Sequence, residues 1–126
     1  MIFVGLGFRQ AVTIKSFENV IHQVYHLTEL PGPINALATL DTKALDPALQ
    51  EFAAAKRITL IPVSLENLKR QITPTQSPAA QAAYGLGSIA EAAALFAAGN
   101  GSSLIFKRLV SDDKLATCAL AKGSFK

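Results

Sequence analysis

A continuous apolar run over residues 1–6 leads through Gly5 and Gly7 to Arg9, and a helical period begins a few residues later. This passage restricts the fold more than any other. An uninterrupted apolar run with Ile, Phe and Val is what a strand needs when both of its faces are covered. A strand that empties through glycines towards a helix is a unit of an α/β sheet, and the junction can form a floor for an anion.

The chain then repeats this alternation. Thr13 reads as a helix N-cap, followed by Ile14, Phe17, Val20, Ile21, Val24 and Leu27 at helical spacing, with Lys15, Glu18, His22, Gln23 and His26 on the other face. Pro31-Gly32-Pro33 predicts the turn that ends this helix. Ile34–Leu40 reads as a second strand that ends at Asp41-Thr42-Lys43. Asp46-Pro47 supplies the cap and first position of a helix carrying Leu49, Phe52 and Ala53. Ile58–Val63 is a third strand, and Pro62 predicts a strand end or a bulge. Ser64 caps a short helix with Leu65, Leu68 and Ile72 on its apolar stripe.

Residues 73–77 are the most loop-like stretch, and Ser77-Pro78 opens an alanine-rich helix stopped at Gly85. Ser88 and Glu91 have capping-box spacing, in which each side chain satisfies the other's backbone amide. That helix runs to about Ala98, with Gly99 as a left-handed stop. Leu104–Leu109 and Leu115–Ala121 flank the polar residues Ser111, Asp112, Asp113 and Lys114 and predict a hairpin, after which Gly123–Lys126 reads as a tail. The expected fold is a single domain over residues 1–126. It is a three-layer α/β/α sandwich with a mixed, mostly parallel five-stranded sheet and a C-terminal β-hairpin.

Composition narrows the function classes. The 126 residues suffice for one core, and 50% hydrophobic residues with 17% charged exclude a disordered chain. The net charge of +3 biases the surface mildly towards anions, but the Lys-Arg pairs are scattered and Trp is absent, so nucleic acid is not an expected partner. A lone cysteine, Cys118, fits a reducing compartment and a buried structural thiol. No apolar run approaches the roughly 20 residues that span a bilayer, so a cytoplasmic protein without a membrane partner is expected.

Ligands of parallel α/β sheets sit beyond the carboxyl ends of the strands. Gly5, Gly7 and Arg9 fall at one such end, and Arg9 offers a guanidinium fork for a carboxylate or phosphate. Asp41 and Lys43 fall at another, where they could orient each other. Gly87 and Ser88 open a helix whose free amides favour an anion, and Lys107 lies in the last pair of strands. A dinucleotide site is disfavoured, because Gln10 occupies the place of the third glycine and Asp41 lies too far along the chain. His22 and His26 have metal-ligand spacing but no third ligand, so no metal or other cofactor is expected. No catalytic constellation is complete; Asp41 and Glu91 are the only acid or base candidates suggested.

Gly5-Leu6-Gly7-Phe8-Arg9 resembles the glycine–arginine opening of the CobE/CbiG C-terminal domain family of cobalamin biosynthesis. Three further blocks follow in the family's order. These are Leu37–Lys43, Gly87–Ala94, and Lys107 followed by Ala116–Ala121. Gln10-Ala11 departs from the glycine that many members carry after the arginine, and Asp46-Pro47 stands near the place of an acidic residue. The resemblance implies a cobalamin biosynthesis protein of the stand-alone CobE form. It would bind or deliver a corrin or precorrin intermediate in the aerobic route through Gly5, Gly7, Arg9, Asp41, Lys43, Gly87, Ser88 and Lys107. The alternatives it leaves are a hydrolase acting on a precorrin lactone with release of acetaldehyde, and a docking module for other pathway enzymes through residues 73–77 and the hairpin edge.

Overall fold

The computed structural model describes residues 1–27 and 33–123. The turn expected at Pro31-Gly32 and the tail at 124–126 lie outside them. Five strands, β1 (Ile2–Phe8), β2 (Ile34–Leu40), β3 (Thr59–Val63), β4 (Ser103–Val110) and β5 (Ala116–Lys122), form one sheet in the order β3-β2-β1-β5-β4. β1, β2 and β3 are mutually parallel, β5 runs antiparallel to β1, and β4 antiparallel to β5. Four strands therefore share one direction, as expected for a mostly parallel mixed sheet. The hairpin adds β4 as the edge and inserts β5 beside β1.

Helices α1 (Ile14–Leu27) and α2 (Pro47–Lys56) cover one face. Ile2, Val4, Leu6, Leu37, Cys118 and Leu120 point to that face and bury Phe17, Val20, Val24 and Phe52. Phe17 packs edge-on against Phe8, with ring centres 5.2 Å apart, and lies 5.6 Å from Phe52. The opposite face is built of small residues and is covered by α5 (Ile89–Ala98), with α3 (Leu65–Lys69) beside it. Ala90, Ala92, Ala93 and Ala94 of α5 are fully buried against Ala38, Ala119 and Ala121 of the strands.

Gly5 explains this closeness. A β-carbon placed on it would stand 1.8 Å from the Ala90 carbonyl oxygen and 2.5 Å from the Ala94 nitrogen. The glycine removes that obstacle and lets the α5 backbone lie directly on β1. β1 accordingly continues past the glycines to Phe8 instead of stopping at them.

Most caps stand where the sequence places them. Asp46 accepts from the amides of Ala48 and Leu49 at α2, Ser64 caps α3, and Ser77 caps α4 (Pro78–Tyr84), which ends at Gly85 with φ +70°. β3 ends one residue after Pro62, as expected, and Pro62 sits in register opposite Thr39 without a bulge, because β3 is an edge strand and its missing donor faces outward. Two local expectations are corrected. α3 ends at Lys69, which leaves Ile72 outside the helix and 92% exposed. Gly99 ends α5 at φ +92° and ψ −175°, outside the left-handed helical region but still a conformation suited to glycine.

Candidate functional site

A cleft of about 530 Å³ opens at the carboxyl ends of β1 and β4, beside the amino end of α5. Its floor is Gly7, Phe8, Ser88, Ile89 and Thr117. Its cations are Arg9, Lys43, Arg108 and Lys114, and no acidic side chain is among the described residues that line it. Ala80, Ala83 and Tyr84 of α4 make an apolar wall. The volume lies within the range usual for small-molecule sites.

Each cation is positioned by a separate device. Arg9 follows β1 directly, and its amide donates to the Leu115 carbonyl, 2.9 Å away, which extends the β1–β5 ladder to the rim. Lys43 lies in a single 3-10 turn (Lys43–Leu45) after β2. Its Nζ donates to the Phe8 carbonyl and stands 4.8 Å from the centre of the Phe8 ring. Burial lowers the Lys43 pKa from 10.5, an effect partly opposed by Asp46.

Lys114 adopts φ +63° in the hairpin turn. That turn is fastened to α1 through Asp113, which accepts hydrogen bonds from Ser111, Ser16 and the Leu115 amide. The hydroxyls of Ser111 and then Ser16 hold the Asp113 carboxyl below its ordinary pKa.

Arg108 reaches the cleft through an irregularity in β4. Phe106 pairs with Leu120 and Leu109 with Cys118, so two residues of β4, Lys107 and Arg108, stand opposite Ala119 alone. Such a bulge re-aims side chains. Lys107 is left exposed and does not line the cleft, whereas Arg108 is half-buried and does. A strictly alternating reading of this strand has no means of detecting the extra residue.

Of the other residues singled out from the sequence, Gly7, Arg9, Lys43 and Ser88 come together here. Gly5 lies under α5, and Gly87 is buried in the chain preceding α5; neither lines the cleft. Asp41 borders a separate cavity with Leu45, Gln50 and Leu60, so it and Lys43 part company. Its carboxylate accepts from the amide of Thr42.

Glu91 is fully buried, and only half of the expected capping box forms. Ser88 Oγ accepts from the Glu91 amide at 3.2 Å, but the Glu91 carboxylate turns away. It accepts instead from the Thr75 amide at 2.9 Å, the Thr75 hydroxyl at 2.7 Å and the Arg108 amide at 2.8 Å. The acid or base candidates named from the sequence therefore do not face the cleft. Residues 73–77 form a loop as expected, and it is fastened inward by Thr75. His22 and His26 stack on the exposed side of α1, and no group of three potential metal-ligating side chains occurs among the described residues. Burial pushes the Cys118 thiol up to about 12, and its Sγ donates to the Val20 carbonyl.

The sheet order and this cationic cleft define an α/β domain with a site suited to an anionic, partly apolar ligand. The family model described as "Cobalamin synthesis G C-terminus" matches residues 2–121, and the chain belongs to that cobalamin biosynthesis family. Among solved structures it is similar to CobE, a protein from the cobalamin (vitamin B12) biosynthetic pathway. That match has a TM-score of 0.83 and 24% identity and covers 96% of this chain and 89% of the other. It is also similar to the cobalamin biosynthesis protein chiG from Agrobacterium tumefaciens str. C58, with a TM-score of 0.75 and 27% identity over 99% of this chain and 100% of the other. A cobalamin biosynthesis protein G homolog from Sulfolobus solfataricus shares the fold, with a TM-score of 0.70 and 21% identity; the match spans 99% of this chain and 37% of that longer one. A search of curated proteins gave no match. No helix among the described residues is long and apolar enough to cross a membrane.

Proposed function

We propose that the protein binds a corrin precursor through its rim carboxylates and delivers it within cobalamin synthesis. The observation that carries this reading is the gathering of Arg9, Lys43, Arg108 and Lys114 around a largely apolar cleft with no acid among the described residues that line it. A corrin precursor is an apolar macrocycle edged with acetate and propionate groups. Its edge matches the cleft in both respects: ring against Phe8, Ile89 and Tyr84, and carboxylates against the cations. Charge-assisted bonds to arginine are the stronger kind and give direction as well as affinity. The amino end of α5 favours a further carboxylate at Ser88.

The test is a titration with cobyrinic acid, a corrin polycarboxylate, followed by the absorbance of the ring. The same ring with its side-chain carboxyls converted to amides is the comparison. Binding of the acid at micromolar protein with much weaker binding of the amide is expected. Equal binding of the two, or none, overturns the reading. Arg9→Ala and Arg108→Ala should each weaken binding roughly tenfold, the scale of one lost hydrogen bond to a charged group. Lys107→Ala should leave it within about twofold, since Lys107 is exposed outside the cleft.

A further inference from the structure

Glu91 carries no role in the cleft by contact, yet its carboxylate is tied to both of the cleft's walls. One wall is a strap, residues 73–87, that leaves the sheet after α3 and returns at the amino end of α5. Its helix α4 is thinly attached: of Pro78–Tyr84 only Ala80 is buried. The strap is closed at its base, where the Ser77 amide donates to the Gly87 carbonyl at 2.7 Å. A β-carbon on Gly87 would stand 2.5 Å from Thr73 Oγ1 and 2.6 Å from the Thr75 carbonyl oxygen, so the base closes only around a glycine. Thr75 in that base is held by the Glu91 carboxylate twice, and the same carboxylate holds the backbone of Arg108 at the β4 bulge.

A fully buried acid that receives three hydrogen bonds, two of them from backbone amides of distant segments, is costly to maintain for packing alone. An apolar residue of similar size would fill the space but leave two amides without acceptors. Glutamine cannot replace it either. Its single carbonyl oxygen can take the place of Oε1 or of Oε2. In either orientation one backbone amide, that of Thr75 or that of Arg108, meets an NH₂ group instead of an acceptor.

We propose that Glu91 is a positioning residue of the cleft. Its carboxylate clasps the strap to strand β4 and so fixes the Arg108 guanidinium against the Ala80–Tyr84 wall at the spacing that a bound carboxylate requires. This rests on the reading of the cleft as a ligand site. The clasp itself is independent of any ligand.

Two measurements on the full chain test it. In the free protein, Glu91→Gln should raise amide hydrogen exchange at Thr75 and Arg108 together, by on the order of tenfold, while amides of α1 are unchanged. A rise spread evenly over both faces of the sheet identifies a general destabilisation and overturns the proposal. With cobyrinic acid as probe, Glu91→Gln should weaken binding roughly tenfold, and this loss should largely vanish in the Arg108→Ala background. Fully additive losses overturn the proposal, because Glu91 would then not act through Arg108. Should Glu91→Gln fail to fold, Thr75→Val removes one of the three donors and should give the same pattern at about threefold; no paired change there overturns the clasp. If the wild type does not bind the probe, the ligand reading fails, and the exchange pattern still decides whether Glu91 joins strap to strand.

Discussion

The two faces of the sheet hold their helices by opposite means. Towards α1 and α2 the strands present Val4, Leu6, Leu37 and Leu120, and large rings interdigitate between the layers. Towards α5 they present Gly5, Gly7, Ala38, Ala119 and Ala121, and an alanine-rich helix lies almost on the strand backbone. The first face gains stability from apolar volume. The second gains less per residue, but its closeness brings the amino end of α5 level with the carboxyl end of β1. That is where Gly7, Ser88 and Ile89 become the floor of the cleft. One face therefore serves mainly to hold the fold together, and the thin face sets the position of the site.

This division can be broken deliberately. The largest effect is expected from Phe52→Ala, which removes a buried ring that does not line the cleft, at a cost of about 4 kcal/mol. Denaturant unfolding should show the loss, and cobyrinic acid affinity of the remaining folded protein should stay within about twofold. Gly5→Ala should cost about 3 kcal/mol by the opposite route, overpacking against the Ala90 carbonyl. Because α5 must move, it should also weaken binding by roughly tenfold. Equal behaviour of the two variants in the binding assay would remove the distinction between the faces.

Smaller effects sharpen the comparison. The Lys43 ammonium is disfavoured by burial, so the folded protein releases this proton below pH 10.5. A bound carboxylate favours the charged form, so the Lys43 contribution to affinity is full below its lowered pKa and is lost as pH rises through it. The ratio of wild-type to Lys43→Met affinity should therefore fall towards one over that interval, and a ratio independent of pH there would place Lys43 outside the ligand contacts. The smallest change is expected at Cys118. With its pKa pushed up to about 12 and its side chain buried between β5 and α1, it should resist iodoacetamide at pH 8 until the chain unfolds.

The legible parts of the fold were those governed by local chemistry. The period from Ile14 to Val24, the Asp46-Pro47 and Ser77-Pro78 helix starts, and the Gly85 stop all stand in the structure where the residues placed them, while Leu27 at the end of the stripe is exposed. Local rules were misleading where a distant partner competed. Ser88 and Glu91 have the spacing of a reciprocal cap, but the Thr75 and Arg108 amides donate to the Glu91 carboxylate and draw it away from the Ser88 amide. Gly5 and Gly7 looked alike beside Arg9. Only the seating of α5 separates them, one under the helix and the other at the cleft.

The sequence by itself determined the alternation of strands and helices and the family, and it picked out Gly7, Arg9, Lys43 and Ser88 as separate candidates that only the fold gathers into one cleft. Each of these rests on neighbours in the chain, on residue type, or on blocks in a fixed order. Tertiary structure alone decided that Arg108 and not Lys107 enters the cleft, that Asp41 faces elsewhere, and that Glu91 binds two segments instead of its own cap. The reason is that strand register, a bulge and the direction of a buried carboxylate are set by the packing partner across the sheet. Glu91 itself lies 17 residues from Arg108 and 16 from Thr75, beyond the reach of any local pattern.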